Sequence, residues 1–306
     1  MKTFPKLKSK AILAPMAGVT DVAFRELCRM YGAGISYTEF VSGAGLSRGN
    51  KKTLKMLKKS PLEKPSGVQI FGSDVDDMVK SAKVLEKEFD VIDINFGCPA
   101  YKVVRTCAGS ELLKYPNKIK KIIWKVNSSV KKPVTIKTRI GIDDKNVNIL
   151  DVLKIAEDNG AVAICVHGRT QKQGYSGKAD WKTIKKVKEN ANIVVIGNGD
   201  VNSPEIFNKR LKESKVDYIM IGRGVIGNPY LFKQINDYLK TGKYDEKCKK
   251  EQFFNYLKLA KKYNVGITYV RFHAISFTKG VVGGARIRKE LAVAKSLEEI
   301  EKLMNY

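Results

Sequence analysis

One cysteine stands in a segment whose residue types can carry chemistry. Asn95-Phe96-Gly97-Cys98-Pro99 places an amide and a thiol directly after a short apolar run. The chain has five cysteines, no CxxC pair, and only two histidines, His167 and His273. These counts argue against a disulfide framework, a structural zinc site and an iron–sulfur cluster. The role of Cys98 stays open at this point, and the other four cysteines are interpreted as small hydrophobes or inert thiols.

Two glycine-bearing turns and one lysine form a second group. Asn198-Gly199-Asp200 and Gly222-Arg223-Gly224 each follow an apolar run, and glycine lets backbone N–H groups approach an oxyanion closely. Together they predict a phosphate site, although either turn by itself is equally a tight turn. Lys137 follows a buried run, where a lysine is costly unless it meets a negative charge. The alternative for Lys137 is a side chain that extends to solvent at a strand end. The alternative for His167 is a hydrogen-bonded histidine of the core.

Short β-branched runs alternate with amphipathic stretches from residue 11 to about residue 240. The predicted strands cover residues 11–15, 34–40, 67–71, 91–95, 133–138, 161–166, 192–197 and 216–221. Helical periodicity is clear at residues 76–89, 117–130, 147–159 and 181–189. Eight such units, with strands apolar enough to be buried on both sides, predict an α/β fold, an eight-stranded parallel TIM barrel. A doubly wound open sheet has similar units.

Nearly all the residues that stand out for chemistry lie at the carboxyl ends of the predicted strands, which form the face where barrel enzymes build their sites. In chain order these strand ends are Pro15-Met16-Ala17-Gly18, Gln69, Asn95 with Cys98, Lys137 with Arg139, His167-Gly168-Arg169, Asn198-Gly199-Asp200 and Gly222-Arg223-Gly224. We therefore expect them to converge on one site.

The alternation of strands and helices stops after Thr241-Gly242. Apolar residues then recur at helical spacing to the end of the chain, so residues 1–242 are predicted to form the barrel domain and residues 243–306 a small helical domain. The tail carries 14 basic and 7 acidic residues.

The whole chain of 306 residues has a formal net charge of +26. Such an excess attracts a polyanion, with a lysine-rich proteome as the alternative explanation. We find no apolar run long enough to span a membrane and no secretory signal. The sequence is interpreted as a cytoplasmic protein without metal, and we expect a monomer.

With these residues in view, the chain resembles the tRNA-dihydrouridine synthases. The resemblance covers residues 11–240 and is weaker across the tail. Its motifs are Ile92-Asp93-Ile94-Asn95-Phe96-Gly97-Cys98-Pro99 continuing to Gly109-Ser110, Ala14-Pro15-Met16-Ala17-Gly18-Val19-Thr20-Asp21, Val166-His167-Gly168-Arg169-Thr170 continuing to Tyr175-Ser176-Gly177-Lys178-Ala179-Asp180-Trp181, Gly197-Asn198-Gly199-Asp200 and Ile221-Gly222-Arg223-Gly224. Five motifs in barrel order are far more specific than any one of them.

The resemblance implies a flavin enzyme that reduces the C5=C6 bond of uridine in tRNA, with NADPH as the donor for FMN. The implied FMN contacts are Pro15, Met16, Ala17, Gln69, Lys137 and His167, with the phosphate against Asn198, Gly199, Asp200, Gly222 and Arg223. The implied substrate and RNA contacts are Asn95, Lys102, Arg139, Arg169, Arg271 and Lys279, with Arg286 and Arg288 also in the basic tail.

In the implied reaction, reduced FMN delivers hydride to uracil C6 and Cys98 protonates C5. A thiol donates a proton only if it starts protonated, so the pKa of Cys98 should not be strongly depressed. The target base must also leave its stack to reach the barrel mouth. Two rivals remain: an FMN-dependent reductase or dehydrogenase of free pyrimidines, and a non-catalytic tRNA-binding protein.

Overall fold

The structure is a computed structural model that describes residues 2–305, apart from the side chain of Lys52. Its strands are β1 Ala11–Leu13, β2 Ser36–Tyr37, β3 Val41–Ser42, β4 Ser66–Phe71, β5 Val91–Phe96, β6 Val134–Arg139, β7 Ala163–His167, β8 Val194–Asn198 and β9 Tyr218–Ile221. All the pairings between these strands are parallel.

The pairings close a barrel. Strands β1, β2, β4, β5, β6, β7, β8 and β9 pair in a ring, because β1 pairs with both β2 and β9 while β2 also pairs with β4. The predicted eight-stranded parallel barrel is therefore confirmed, and the open sheet is not. The predicted second strand, residues 34–40, was too long: only Ser36–Tyr37 pairs there, and the chain pairs with β4 again at β3.

The helices alternate with the strands and then continue alone. They are α1 Val22–Met30, α2 Gly43–Ser47, α3 Lys51–Lys55, α4 Val75–Leu85, α5 Tyr101–Val104, α6 Pro116–Ser129, α7 Ile149–Asp158, α8 Trp181–Asn190, α9 Pro204–Ser214, α10 Leu231–Thr241, α11 Lys249–Tyr263, α12 Ile267–Phe277, α13 Gly284–Val293 and α14 Leu297–Leu303. The four amphipathic stretches became α4, α6, α7 and α8. None of the described helices is both long and apolar enough to cross a membrane.

Local sequence explains where several of these helices begin. Asp21, Asp74 and Asp180 each accept backbone N–H bonds at the start of α1, α4 and α8, and Ser203 does the same for α9. Such caps satisfy amide groups that have no partner inside the helix.

Residues along each strand alternate between the helix layer and the barrel interior. In β5, Ile92 and Ile94 pack with the helices, whereas Val91 belongs to the cluster that fills the lower barrel. Asp93 and Asn95 follow Val91 at the same alternation, and both are buried. The interior therefore changes from apolar at the bottom to polar at the carboxyl ends of the strands.

The tail helices pack against the first βα unit of the barrel. Tyr256 on α11 and His273 on α12 are buried, and both contact the Asp21 carboxylate at the start of α1. Tyr269 on α12 donates to Glu39, which follows β2. The tail is helical as predicted, while the division into two domains at residue 242 stays a prediction.

Candidate active site

A cavity of about 390 Å³ opens at the carboxyl ends of the barrel strands. Its walls contain most of the residues selected from the sequence. Those residues are Pro15, Met16, Gln69, Asn95, Cys98, Lys137, Arg139, His167, Asn198, Gly199, Asp200, Gly222 and Arg223. Seven strands or the loops after them contribute to this set, so closure of the barrel is what brings it together.

Cys98 lies in the turn that follows β5. The Asn95 side-chain oxygen accepts from the N–H groups of Gly97 (3.0 Å) and Cys98 (2.9 Å). The Cys98 carbonyl accepts from both the backbone N–H and the hydroxyl of Ser110, at 3.0 and 2.9 Å. Burial raises the pKa of the Cys98 thiol, against the opposing charges of Arg139 and Lys137. The thiol is therefore protonated at neutral pH, as expected for an acid.

A chain of buried side chains continues downward from this turn. Asn95 Nδ2 donates to Gln69 Oε1 at 2.7 Å, and Gln69 Nε2 donates to Asp93 Oδ2 at 2.6 Å. The other Asp93 oxygen accepts from the Thr135 hydroxyl at 2.6 Å. Burial raises the pKa of Asp93 to about 6, so the group is a carboxylate at neutral pH. Sequence reasoning missed Asp93, because it stands inside a run of buried strand residues.

Positive charge lines the wall next to this turn, because Lys137 on β6 is the strand partner of Asn95 on β5. Lys137 Nζ donates to Asn198 Oδ1 at 3.1 Å, and Asn198 Nδ2 donates to the Met220 carbonyl at 2.7 Å. His167 is buried, and burial together with the cations Lys137 and Arg139 lowers its pKa to about 2. His167 is therefore neutral, and it can act there as a hydrogen-bonding group but not as a cation.

The two glycine-bearing turns present free backbone donors. Within residues 2–305, the N–H groups of Gly199, Asp200, Gly222 and Arg223 donate to no protein acceptor. Gly199 has φ +137°, and a Cβ at Gly224 would lie 2.0 Å from the Val201 carbonyl oxygen, so neither position accepts a side chain without rearrangement. Free N–H groups beside the exposed Arg223 guanidinium form a cradle for an anion such as phosphate.

Ion pairs brace this cradle from behind. Arg169 is buried and lies 2.8 Å from the Asp200 carboxylate, which Arg223 also approaches at 3.5 Å. Arg169 further donates to the carbonyls of Ser176 and Gly177. The structure thus places Arg169 behind the cavity wall, where it holds a loop, and the predicted RNA contact by Arg169 stays a prediction.

Arg139 and Tyr175 stand together at the cavity mouth. Arg139 donates to the carbonyls of Gly97, Thr170 and Gly174, between 2.7 and 2.9 Å. The Tyr175 ring is 61% exposed, and its centroid lies 5.8 Å from the Arg139 guanidinium carbon and 4.6 Å from that of Arg223. No role for Tyr175 came from the sequence, although an aromatic between glycines in a strand-end loop was the available signal. Phe40, on the cavity wall, was missed without such a signal.

Four predicted contacts lie away from the cavity. Ala17 is exposed in the loop after β1, and Lys102 is exposed on α5. Arg271, on α12, is half-buried, and Lys279 is exposed just after that helix. Ala17 was predicted as a main-chain contact of FMN and stays a prediction. An RNA that reaches both the cavity and the other three residues would have to extend across the outer surface.

A closed parallel barrel with an anion cradle and a cationic cavity at its carboxyl end has the architecture of an enzyme that holds a phosphate-bearing cofactor. The model of the family described as dihydrouridine synthase matches residues 12–305. The chain belongs to the dihydrouridine synthase family, which makes it a flavin-dependent oxidoreductase.

Two curated relatives illustrate the similarity. The chain is 45% identical over 241 residues to tRNA-dihydrouridine synthase B of Vibrio vulnificus (strain CMCP6), covering 78% of this chain and 74% of the relative. It is 44% identical over 229 residues to tRNA-dihydrouridine synthase B of Pasteurella multocida (strain Pm70), covering 74% of this chain and 69% of the relative.

Solved structures with low sequence identity share the barrel. Histamine dehydrogenase from Rhizobium sp. 4-9 superposes with a TM-score of 0.59 at 13% identity, over 83% of this chain and 49% of that one. A 2-naphthoyl-CoA reductase superposes with a TM-score of 0.61 at 10% identity, over 78% of this chain and 50% of that one. This chain spans about half the length of each, and at these identities the likeness concerns the fold alone.

The hydrogen-bond donors and cations of the cavity suit a flavin that carries a phosphate group. The cradle of unpartnered N–H groups at Gly199 and Gly222 suits the phosphate, and Lys137 suits a ring edge that becomes negative on reduction. Met16 and the Ala14 methyl group supply an apolar wall close to Gly222, where an added Cβ would lie 3.5 Å from Met16 Sδ and 3.7 Å from Ala14 Cβ.

Proposed function

We propose that this protein is a tRNA-dihydrouridine synthase that holds FMN, takes its electrons from NADPH, and uses Cys98 to protonate uracil. The observation that carries the proposal is the position of the Cys98 thiol, held protonated by burial, in the same cavity as the anion cradle and Lys137. Family membership and the names of the relatives support the reaction type.

The proposed FMN contacts follow the cavity wall. The phosphate lies against the N–H groups of the turns at Gly199 and Gly222, with the Arg223 guanidinium beside it. Gln69, Lys137 and the neutral His167 are the polar groups available to the ring system. When bound, the reduced flavin supplies the hydride for C6 of the uracil.

Cys98 then completes the addition across the double bond. Its thiol gives a proton to C5, and the thiolate that remains faces the charges of Arg139 and Lys137, which favour the anion. Burial therefore favours the protonated thiol before the transfer, and the two cations stabilise the thiolate after it. Asn95 holds the backbone of this turn through its side-chain oxygen.

The charge of the protein indicates the class of substrate. The net charge of +26 matches a polyanion, and the tail presents exposed basic residues such as Lys279 and Lys289. A uridine has to leave its stack to enter the cavity, and Tyr175 at the mouth offers an aromatic face for a displaced base. We propose that the tail holds the body of the tRNA and that the enzyme works as a cytoplasmic monomer.

The test is reconstitution with defined components. Purified protein should bind FMN, be reduced by NADPH, and form dihydrouridine in unmodified tRNA. Free uracil and dihydroorotate, offered separately, should not turn over. A protein that cannot bind FMN would refute the enzyme assignment, and turnover of free pyrimidines without RNA would replace the substrate.

A further inference from the structure

The buried carboxylate of Asp93 has no part in the proposed reaction, yet it lies directly below the site. It is 2% exposed and sits in the barrel interior, one alternation below Asn95 on β5. Its oxygens accept from Gln69 on β4 and from Thr135 on β6. A carboxylate buried in a barrel is costly, because its charged form loses hydration that hydrogen bonds only partly replace. Its presence calls for a reason beyond packing.

The reason lies in the polarity of the amides above it. An ionised carboxylate only accepts hydrogen bonds, so Gln69 must turn its NH₂ group toward Asp93 and its carbonyl oxygen away. That oxygen accepts from the NH₂ group of Asn95, which in turn aims the Asn95 oxygen at the N–H groups of Gly97 and Cys98. The Asp93 carboxylate thereby sets the orientation of the Gln69 and Asn95 amides, whose two possible orientations differ only in their hydrogen bonds.

We propose that Asp93 is a positioning residue: through Gln69 and Asn95 it fixes the turn that holds Cys98. By holding one N–H of the Gln69 NH₂ group, it also fixes the direction of the second N–H, which is the donor left for the cofactor. These three residues are called the amide relay below. Without the carboxylate, the two orientations of Gln69 become similar in energy. In the reversed orientation the NH₂ group of Gln69 faces the NH₂ group of Asn95. Asn95 then reverses as well, and its oxygen no longer accepts from the N–H groups of Gly97 and Cys98.

Thr135 provides a matched control within the same cluster. Its hydroxyl donates to the Asp93 oxygen that does not face Gln69, and it lies on the neighbouring strand. Tyr37, Lys137 and Cys165 are the other titratable groups that interact with Asp93 in the barrel interior. Removing the Thr135 hydroxyl perturbs the carboxylate but leaves the relay intact.

The reactivity of the five cysteines measures the effect of each substitution on the Cys98 turn, without flavin or RNA. Cys98 is half-buried, Cys107 and Cys248 are exposed, and Cys28 and Cys165 are buried. Iodoacetamide labelling of the apo protein, read per cysteine by mass spectrometry, measures all five in one sample. In Asp93→Asn we expect Cys98 to react about tenfold faster, the change produced by losing one hydrogen bond to a charged group. Cys107 and Cys248 should keep their rates, and Cys28 and Cys165 should stay unlabelled.

In Thr135→Val the labelling rate of Cys98 should match the wild type. An unchanged rate in Asp93→Asn, or an equal acceleration in both variants, overturns the proposal. If Cys28 and Cys165 become reactive in Asp93→Asn, the barrel itself has loosened, and Gln69→Met is decisive. That variant breaks the relay and keeps the carboxylate, so acceleration confined to Cys98 supports the relay and an unchanged Cys98 refutes it.

A second readout concerns the cofactor and rests on the proposed function. FMN titrated into the apo protein should bind about tenfold more weakly to Asp93→Asn than to Thr135→Val, because Gln69 no longer offers its donor in one orientation. Equal FMN affinity of the two variants, combined with the faster labelling of Cys98, removes the cofactor half of the proposal. Failure of the wild type to bind FMN would instead refute the proposed function and leave the labelling result standing.

Discussion

Two of the buried polar clusters in the described part of the chain have an aspartate at their centre, and they hold different parts of the fold in place. In the amide relay, Asp93 receives donors from neighbouring barrel strands, and the chain of bonds ends at Cys98. In what we call the seam cluster, the Asp21 carboxylate accepts from the Tyr256 hydroxyl at 3.2 Å and lies 3.2 Å from His273 Nε2, and both partners belong to helices of the tail.

The difference lies in what each carboxylate holds in place. The relay orients groups that face the cavity, so its loss should disturb chemistry and leave the tail in position. The seam cluster joins α1 to α11 and α12, and His273 Nε2 also lies 3.0 Å from the Val19 carbonyl in the loop after β1. Its loss should therefore disturb stability and the placement of the tail first.

The largest expected effect is at the end of the relay. Cys98→Ala should lower dihydrouridine formation at least about a hundredfold, the usual contribution of a positioned acid. FMN binding, NADPH oxidation and tRNA affinity should remain, because the thiol serves only the RNA half of the reaction. Single-turnover assays of the two halves measure this. Cys107→Ala is the control, exposed and nine residues further on, and it should behave as wild type. Full RNA reduction by Cys98→Ala would remove the acid from the mechanism.

At the seam, Asp21→Ala should lower the free energy of unfolding by about 3 kcal/mol, through a lost helix cap and the buried Tyr256 hydroxyl left without its acceptor. Asp74→Ala removes the cap of α4 at an exposed position and should cost only about 1 kcal/mol. Urea denaturation of the two variants provides the comparison. Equal losses would mean that Tyr256 and His273 add nothing to the cap.

Charge reversal on the tail should have a smaller effect, confined to RNA. Lys279→Glu with Lys289→Glu is expected to weaken tRNA binding about tenfold and to flatten its salt dependence, since each phosphate contact contributes to that slope. FMN affinity should not change. Lys120→Glu with Lys121→Glu makes the same change of charge on the barrel helix α6. If both pairs weaken binding equally, the charge acts through the general field of the protein and the tail is not a specific contact.

The smallest expected effect is a displacement of a pH profile. Because burial raises the pKa of Cys98, its thiolate should form at higher pH than the thiolate of a cysteine in an unstructured peptide. Iodoacetamide labelling across a pH series should therefore rise later for Cys98 than for the peptide. An earlier rise would indicate a thiolate at rest and would favour a nucleophile over an acid.

Periodicity predicted the strand ends that form the cavity wall, while it left a closed barrel and an open sheet as alternatives. Buried strands of about five residues separated by amphipathic helices define where each strand ends, and a parallel barrel collects those ends at one face. Cys98, Lys137, His167 and the two glycine turns were therefore predictable as neighbours, although the chain between the first and the last of them runs from residue 98 to residue 224.

Contacts between side chains were not predictable in the same way. Asp93 occupies an interior position in a buried strand, and only the placement of Gln69 and Thr135 on the adjacent strands explains a charge there. Arg169 was predicted to lie near the flavin or RNA, and its pairing with Asp200 and with the loop carbonyls at residues 176 and 177 could not be read from the sequence.

By itself, then, the sequence determined the alternating strands and helices, the helical tail and the strand ends that carry the site residues, because these depend on hydrophobic periodicity and on turns within a few residues. The pairing of β1 with both β2 and β9 is what closes the sheet into a barrel. Only the tertiary structure decided which amide faces which, and that Asp21 meets Tyr256 and His273. Hydrogen bonds depend on distances of a few tenths of an ångström and on donor direction, and strand pairing and helix packing set both.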